Sequence, residues 1–179
     1  VKPRDVGVVS EVMKCQQPLI FPDWETLPYD RFSPYQELIS QRLLTLNRLL
    51  SWQKFLVIST AATLMHRLCP KSYLLEHVWS LSLGQSIDRM RLRVLLEEAG
   101  YLETSQVLAH GEFAVRGSLL DVYPMGSALP FRIDLFDDVI ESIRTFDPQT
   151  QRTLEKLPAL KLLPAHEFSL NADGVARFR

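Results

Sequence analysis

The run Phe131-Arg132-Ile133-Asp134-Leu135 alternates apolar and polar residues, and Phe136 follows where the alternation calls for a polar one. A strand turns successive side chains to opposite faces, so Phe131, Ile133 and Leu135 share one face and Arg132, Asp134 and Phe136 the other. Without a bulge the two sets cannot mix. The first face is ordinary core. The second sets an arginine and a large aromatic together, and these residue types dominate the energetics of protein interfaces. The strand therefore predicts a binding surface on a sheet rather than a catalytic site.

Its surroundings predict more strands near 104–109, 112–116, 118–123, 139–146 and 151–163, with the run itself spanning 130–136. Turn-forming pairs separate them: His110-Gly111, Arg116-Gly117, Met125-Gly126, Asp137-Asp138 and Asp147-Pro148. Val78 to Leu83 alternates as another strand. Ser86 to Ala99 reads as an amphipathic helix with Ile87, Met90, Val94 and Leu95 inward and Gly100 as its C-terminal cap. Residues 78–164 thus read as a small α+β domain with an antiparallel sheet and one main helix. Residues 1–77 have another character. Ser33-Pro34-Tyr35-Gln36 is a helix start with a capping box, followed by the stripe Leu38, Ile39, Leu43, Leu46, Leu49 and Leu50. Phe55 to Ile58 shows no polar alternation and predicts a strand buried on both faces, as in a parallel sheet. Thr60 to about Leu68 reads as a short helix stopped before Pro70. This is a partial α/β domain, and residues 165–179 begin the following segment.

The chain has 179 residues, with 20 basic and 21 acidic side chains. A balanced charge argues against affinity that comes mainly from phosphates. No apolar run approaches the roughly 18 residues of a membrane span, and the first residues carry neither an initiator Met nor the apolar core of a signal peptide. The expectation is a cytoplasmic piece of a longer protein. Cys15 and Cys69 fit free thiols in a reducing compartment. No Gly-x-x-x-x-Gly-Lys-Ser/Thr occurs, so neither nucleotide binding nor a cofactor is expected. His66, His77, His110 and His166 lack metal-ligand spacing, and Ser59 with His66 lacks a third orienting group. The acidic pairs Asp137-Asp138 and Asp121/Asp134 read as turn formers and solvated ends. Trp24, Tyr29, Phe32 and Tyr35 crowd a proline-rich loop whose Asp23, Glu25 and Asp30 would repel phosphates. Arg116, Arg132, Arg144 and Arg152 fall on successive strands or turns. Two readings stay open for them: an exposed sheet face with scattered charges, or a protein-binding surface anchored by Phe136.

Several strings resemble the N-terminal region of the bacterial transcription-repair coupling factor family (Mfd). They are Asp23-Trp24-Glu25-Thr26-Leu27-Pro28-Tyr29-Asp30, His110-Gly111-Glu112-Phe113-Ala114-Val115-Arg116-Gly117, Leu135-Phe136-Asp137-Asp138 and Leu162-Leu163-Pro164-Ala165-His166-Glu167-Phe168. The Arg116 to Thr153 region is also similar to the excision-repair protein UvrB. The resemblance implies that 78–164 docks UvrA, with Arg116, Arg132 and Phe136 at the matching contact positions. It implies that 1–77 is part of a degenerate helicase-like domain without nucleotide motifs. Other domains of the longer protein would bind RNA polymerase and hydrolyse ATP with Mg to move on DNA. The expected function is a non-enzymatic adaptor that recruits UvrA to stalled transcription. The alternative is a UvrB-type damage-binding helicase-like module. Against it, Asp30 runs directly into Phe32-Ser33-Pro34 and leaves no room for the aromatic hairpin with which UvrB inspects DNA.

Overall fold

The computed structural model describes residues 18–26, 34–51 and 56–168. Within them the fold is mixed α/β: a six-stranded sheet, two small two-stranded sheets and four helices.

The large sheet orders its strands β4 (Leu102–Glu103), β5 (Glu112–Arg116), β6 (Leu119–Val122), β7 (Phe131–Phe136), β8 (Val139–Phe146) and β9 (Thr153–Lys156). Every neighbouring pair is antiparallel except β4 and β5, which run parallel at the edge, so the sheet is mixed where an antiparallel one was expected. The cause lies in residues 104–109, which form a loop and not the expected strand. Glu112 holds that loop by accepting from the backbone N–H groups of Leu108 (2.7 Å) and Ala109 (2.9 Å). Between β7 and β8 the register shifts after Asp134, which pairs with Ser142 while Leu135 pairs with Ile140. Glu141 is the extra residue. The bulge lets Ile140 and Ile143, three apart, both enter the core and leaves the alternation of β7 intact.

The expected strand over 151–163 is two strands. Pro158 has no N–H to continue a ladder, and the chain leaves β9 there. β10 (Ala159–Leu162) then pairs antiparallel with β3 (Trp79–Ser82).

The helix expected over Ser86–Ala99 spans Arg89–Glu98; we label α1 as Gln36–Ser51, α2 as Ala61–Met65, α3 as Lys71–Glu76 and this helix as α4. Its start is set by Asp88, whose carboxylate accepts from Met90 N–H at 2.8 Å. The predicted inward set is corrected: Leu92 and Leu96 are buried, with Ala99 beyond them, whereas Met90 and Val94 are 62% and 46% exposed. Ile87 precedes the cap, so it reaches the core from extended backbone and does not define the helical stripe. Gly100 ends the helix with φ +87°, as its position predicts.

In α1, Ile39, Leu43 and Leu46 of the predicted stripe are buried; the Ser33 cap lies outside the described residues. β2 (Val57–Ile58) pairs parallel with β1 (Leu19–Ile20). It is not buried on both faces. Ile20 and Ile58, which are register partners, are 62% and 53% exposed, because among the described residues only one side of this pair is covered. Phe55 lies outside the described residues. Thr60 caps α2, which stops at Met65, and α3 follows Pro70 as a helix the periodicity did not predict.

The main core lies between one face of the large sheet and α4, and it continues through Leu81 and Leu160 to Leu43 and Phe21. Two polar ties fasten α1 to the rest. Ser40 Oγ accepts from Gly126 N–H at 2.7 Å. Arg42, wholly buried, pairs with Glu167, whose carboxylate also accepts from Trp24 Nε1 at 3.1 Å. A buried ion pair satisfied on both sides in this way avoids the large cost of an unpaired charge.

Candidate protein-docking face

Cross-strand register decides which side chains meet. Asp121 pairs with Arg132, Arg132 with Arg144, and Arg144 with Lys156. One row along, Arg116 pairs with Leu119, Leu119 with Asp134, and Asp134 with Ser142. Phe136 pairs with Val139. Directly opposed residues point to the same side, so all of these stand on the face away from the main core. At the far end of that face a second apolar cluster, Val107, Ala114, Tyr123 and Phe146, is buried. Val107 brings the 104–109 loop into this cluster, and that loop covers one end of the face while the other stays open.

Asp121 organises the open part. It is fully buried, yet it accepts a fork from Arg132, Nε to Oδ1 at 2.7 Å and Nη2 to Oδ2 at 2.9 Å, and a further bond from Arg116 Nη2. Arg132 also lies over the Phe146 ring at 4.7 Å and donates to the Gln151 carbonyl at 3.3 Å. Its hydrogen bonds to Asp121 hold the guanidinium pKa above its ordinary value. Two guanidinium groups thus share one buried carboxylate, and the two-point fork fixes the plane of Arg132, whereas Arg116 is held by a single bond.

The three predicted site residues differ in how far they reach solvent. Phe136 is 68% exposed. The Arg116 side chain is 47% exposed and that of Arg132 only 15%. Phe136 ends β7 just before Asp137 and Asp138, whose φ values of 45° and 61° are the positive pair that a two-residue hairpin of primed type requires. The tip therefore presents an aromatic ring beside acids, on the same face as the arginine pair but four residues along the strand from Arg132. Arg144 joins this face, with its Nη2 3.6 Å from Asp134 Oδ2. Arg152 does not join it through any described contact; its carbonyl closes the 147–152 turn by accepting from Asp147 N–H. Asp121 appeared in the sequence only as half of a possible carboxylate pair. Its place between Leu120 and Val122, both core, was the signal that it shares the face of Arg132. Lys156 gave no signal of its own.

Other chemistry-bearing residues have structural partners. Ser59 donates to the Phe21 carbonyl at 2.9 Å rather than to His66, which stacks on Trp24. His110 packs at a tilt against the Tyr123 ring and bonds the Ser127 carbonyl at 2.8 Å. Cys69 is a buried free thiol whose pKa is pushed up to about 12, first by burial and then by Glu167, the reverse of what a nucleophile needs. Burial also lowers the His166 pKa. Among the described residues no group of three or more His, Cys, Asp or Glu could hold a metal ion, and no helix is long and apolar enough to cross a membrane. Cys15, Tyr29 and Phe32 lie outside the described residues, so the predicted aromatic grouping is seen only at Trp24 and at Tyr35, which is 77% exposed.

Comparison with known proteins shows the family of the region that contains this face. The UvrB interaction domain model matches residues 79–168. The chain is 54% identical over 174 residues to the transcription-repair-coupling factor of Haemophilus influenzae, a match covering 96% of this chain and 15% of that protein. It is 52% identical over 157 residues to the factor of Escherichia coli K12, covering 88% and 14%. With the factor of Bacillus subtilis it shares 31% over 169 residues, covering 94% and 14%. The chain therefore spans about 15% of the length of the curated relatives it matches.

Proposed function

The chain belongs to the UvrB interaction domain family, as part of a bacterial transcription-repair coupling factor, and from that premise we propose that it is the adaptor region that recruits UvrA to stalled transcription. In this reading 78–164 is the docking domain, 1–77 is the partial helicase-like piece and 165–179 leads onward. UvrA binds the open sheet face through Phe136, Arg116 and Arg132. RNA polymerase binding and ATP-driven movement on DNA belong to other parts of the longer protein. The chain itself carries no catalysis and holds no cofactor.

One observation carries the reading. Phe136 is 68% exposed on the face pointing away from the core, the same face on which a buried carboxylate holds Arg132 and Arg116, inside the stretch the family model matches. An aromatic left in water on a face that also carries arginines contributes little to folding and much to association. Against the UvrB-type alternative, Asp30 runs directly into Phe32-Ser33-Pro34 in the sequence and leaves no room for an aromatic DNA-inspecting hairpin.

Calorimetric titration of the chain with purified UvrA tests this. The expected result is saturable binding to UvrA, no heat with ATP, and at physiological salt only weak, strongly salt-dependent binding to duplex DNA, as a net charge of −1 dictates. Absence of UvrA binding, or a sub-micromolar salt-tolerant DNA complex, would reject it.

A further inference from the structure

Arg132 and Arg144 stand on the same sheet face and on adjacent strands, but their surroundings differ. Arg132 spends its fork on Asp121. Arg144 Nε is enclosed and has no hydrogen-bond partner. Its nearest carboxylate, Asp134, is 3.6 Å from Nη2, too far for a hydrogen bond. Ser142 Oγ, in the next row of the same face, is likewise enclosed and unpartnered. Lys156 is the register neighbour of Arg144 on the other side. Like charges directly opposed across strands are destabilising, and here three cations follow one another: Arg132, Arg144 and Lys156. The rows hold four cations (Arg116, Arg132, Arg144, Lys156) against two carboxylates (Asp121, Asp134).

We propose that Arg144, assisted by Lys156, completes the docking face by receiving a carboxylate side chain of the docking protein. This rests on the reading of the face as the UvrA-docking surface and adds the chemistry that the partner must present: an acidic residue opposite the Arg132/Arg144 row of the face that also bears Phe136. Nε is enclosed, but the Arg144 side chain is 27% exposed, so an incoming carboxylate pairs with its guanidinium and relieves the repulsion among the three cations. Protein fits better than nucleic acid. Asp134 stands within the rows, and Asp137, Asp138 and Glu141 lie exposed toward the hairpin tip, where a phosphate backbone running past Phe136 would meet them.

The test uses the whole chain and purified UvrA. Arg144→Ala and Arg144→Gln are measured for affinity at two ionic strengths and for melting temperature. Phe136→Ala marks the docking face. Arg91→Ala, an exposed cation on α4, which packs on the opposite face of the sheet, controls for net charge. Both Arg144 variants should bind UvrA about tenfold more weakly, the scale of one lost charge-assisted contact. Their affinity should depend less on salt than that of the parent chain, and Arg91→Ala should bind as the parent does. Unchanged affinity in both variants, with Phe136→Ala still impaired, overturns the proposal and leaves the docking face standing. If Phe136→Ala also binds normally, the docking reading itself fails and takes the proposal with it. Equal losses of affinity and melting temperature with unaltered salt dependence make Arg144 a structural residue and overturn the proposal. So does a loss confined to duplex DNA binding.

Discussion

Asp121 and its two arginines set how single substitutions on this face must be interpreted. Arg132 faces outward by strand alternation, yet its side chain is 15% exposed and spends its donors inside the sheet. Replacing it with Ala leaves a fully buried carboxylate with Arg116 alone. Stranding part of a buried ion pair costs about 2 kcal/mol or more. Arg132→Ala should therefore lower the urea midpoint by a corresponding amount as well as weaken docking; an unchanged midpoint would show that Arg116 alone satisfies Asp121. On the proposed docking reading, Arg132 would therefore serve both packing and recognition, whereas Phe136, 68% exposed, would serve recognition alone. Alternation identified Arg132 and Phe136 because a strand has period two and the opposite set, Phe131, Ile133 and Leu135, is all core. How deeply Arg132 is enclosed was not legible, since that depends on Phe146 and Gln151 arriving from β8 and the turn after it.

Among the elements, β5 to β8 were legible to within a residue or two. Each is short and bounded by a turn whose chemistry the chain spells out, and each of the five turns holds a residue at positive φ. Elements fixed by distant partners were not legible. The 104–109 segment has strand composition but gives Val107 to a cluster instead of a ladder. The inward stripe of α4 was misplaced because Met90 and Val94 share helical spacing as good as that of Leu92 and Leu96, and only the sheet beneath chooses between them. Two glycines separate turn strain from packing. At Gly117, φ is +61° and an added Cβ meets nothing within 4 Å, so Gly117→Ala should cost about 1 kcal/mol of backbone strain. At Gly100, φ is +87° and the Cβ would sit 2.3 Å from the His166 ring. Gly100→Ala should be clearly the more destabilising of the two in thermal unfolding. Equal costs would mean that the His166 ring moves aside freely.

Across the whole molecule, the change in pattern near His77 gave the proposed boundary, but not the ties across it. The main cluster includes Leu43 and Phe21 from before that point, and Arg42 pairs with Glu167 from beyond the proposed docking domain. Nothing in the helical stripe of α1 distinguishes Arg42 from a solvated arginine, because its partner lies 125 residues away. We expect 78–164 expressed alone to unfold cooperatively, because the sheet and α4 enclose their own apolar faces. It should melt below the whole chain, which keeps Gly126 and Glu167 tied to α1. A broad, non-cooperative transition would mean that the boundary cuts through a single core.

If UvrA docks on this sheet, the exposed aromatic on its outer face should be what UvrA grips. Phe136→Ala tests that with the least structural disturbance, since the side chain is 68% exposed and makes no described hydrogen bond or ring contact. Affinity for purified UvrA and melting temperature should be measured on the same preparations. We predict binding weakened about 30-fold, the scale of a hot-spot truncation near 2 kcal/mol, with the melting temperature unchanged. Wild-type affinity in Phe136→Ala, or an affinity lost only together with the fold, would contradict the account.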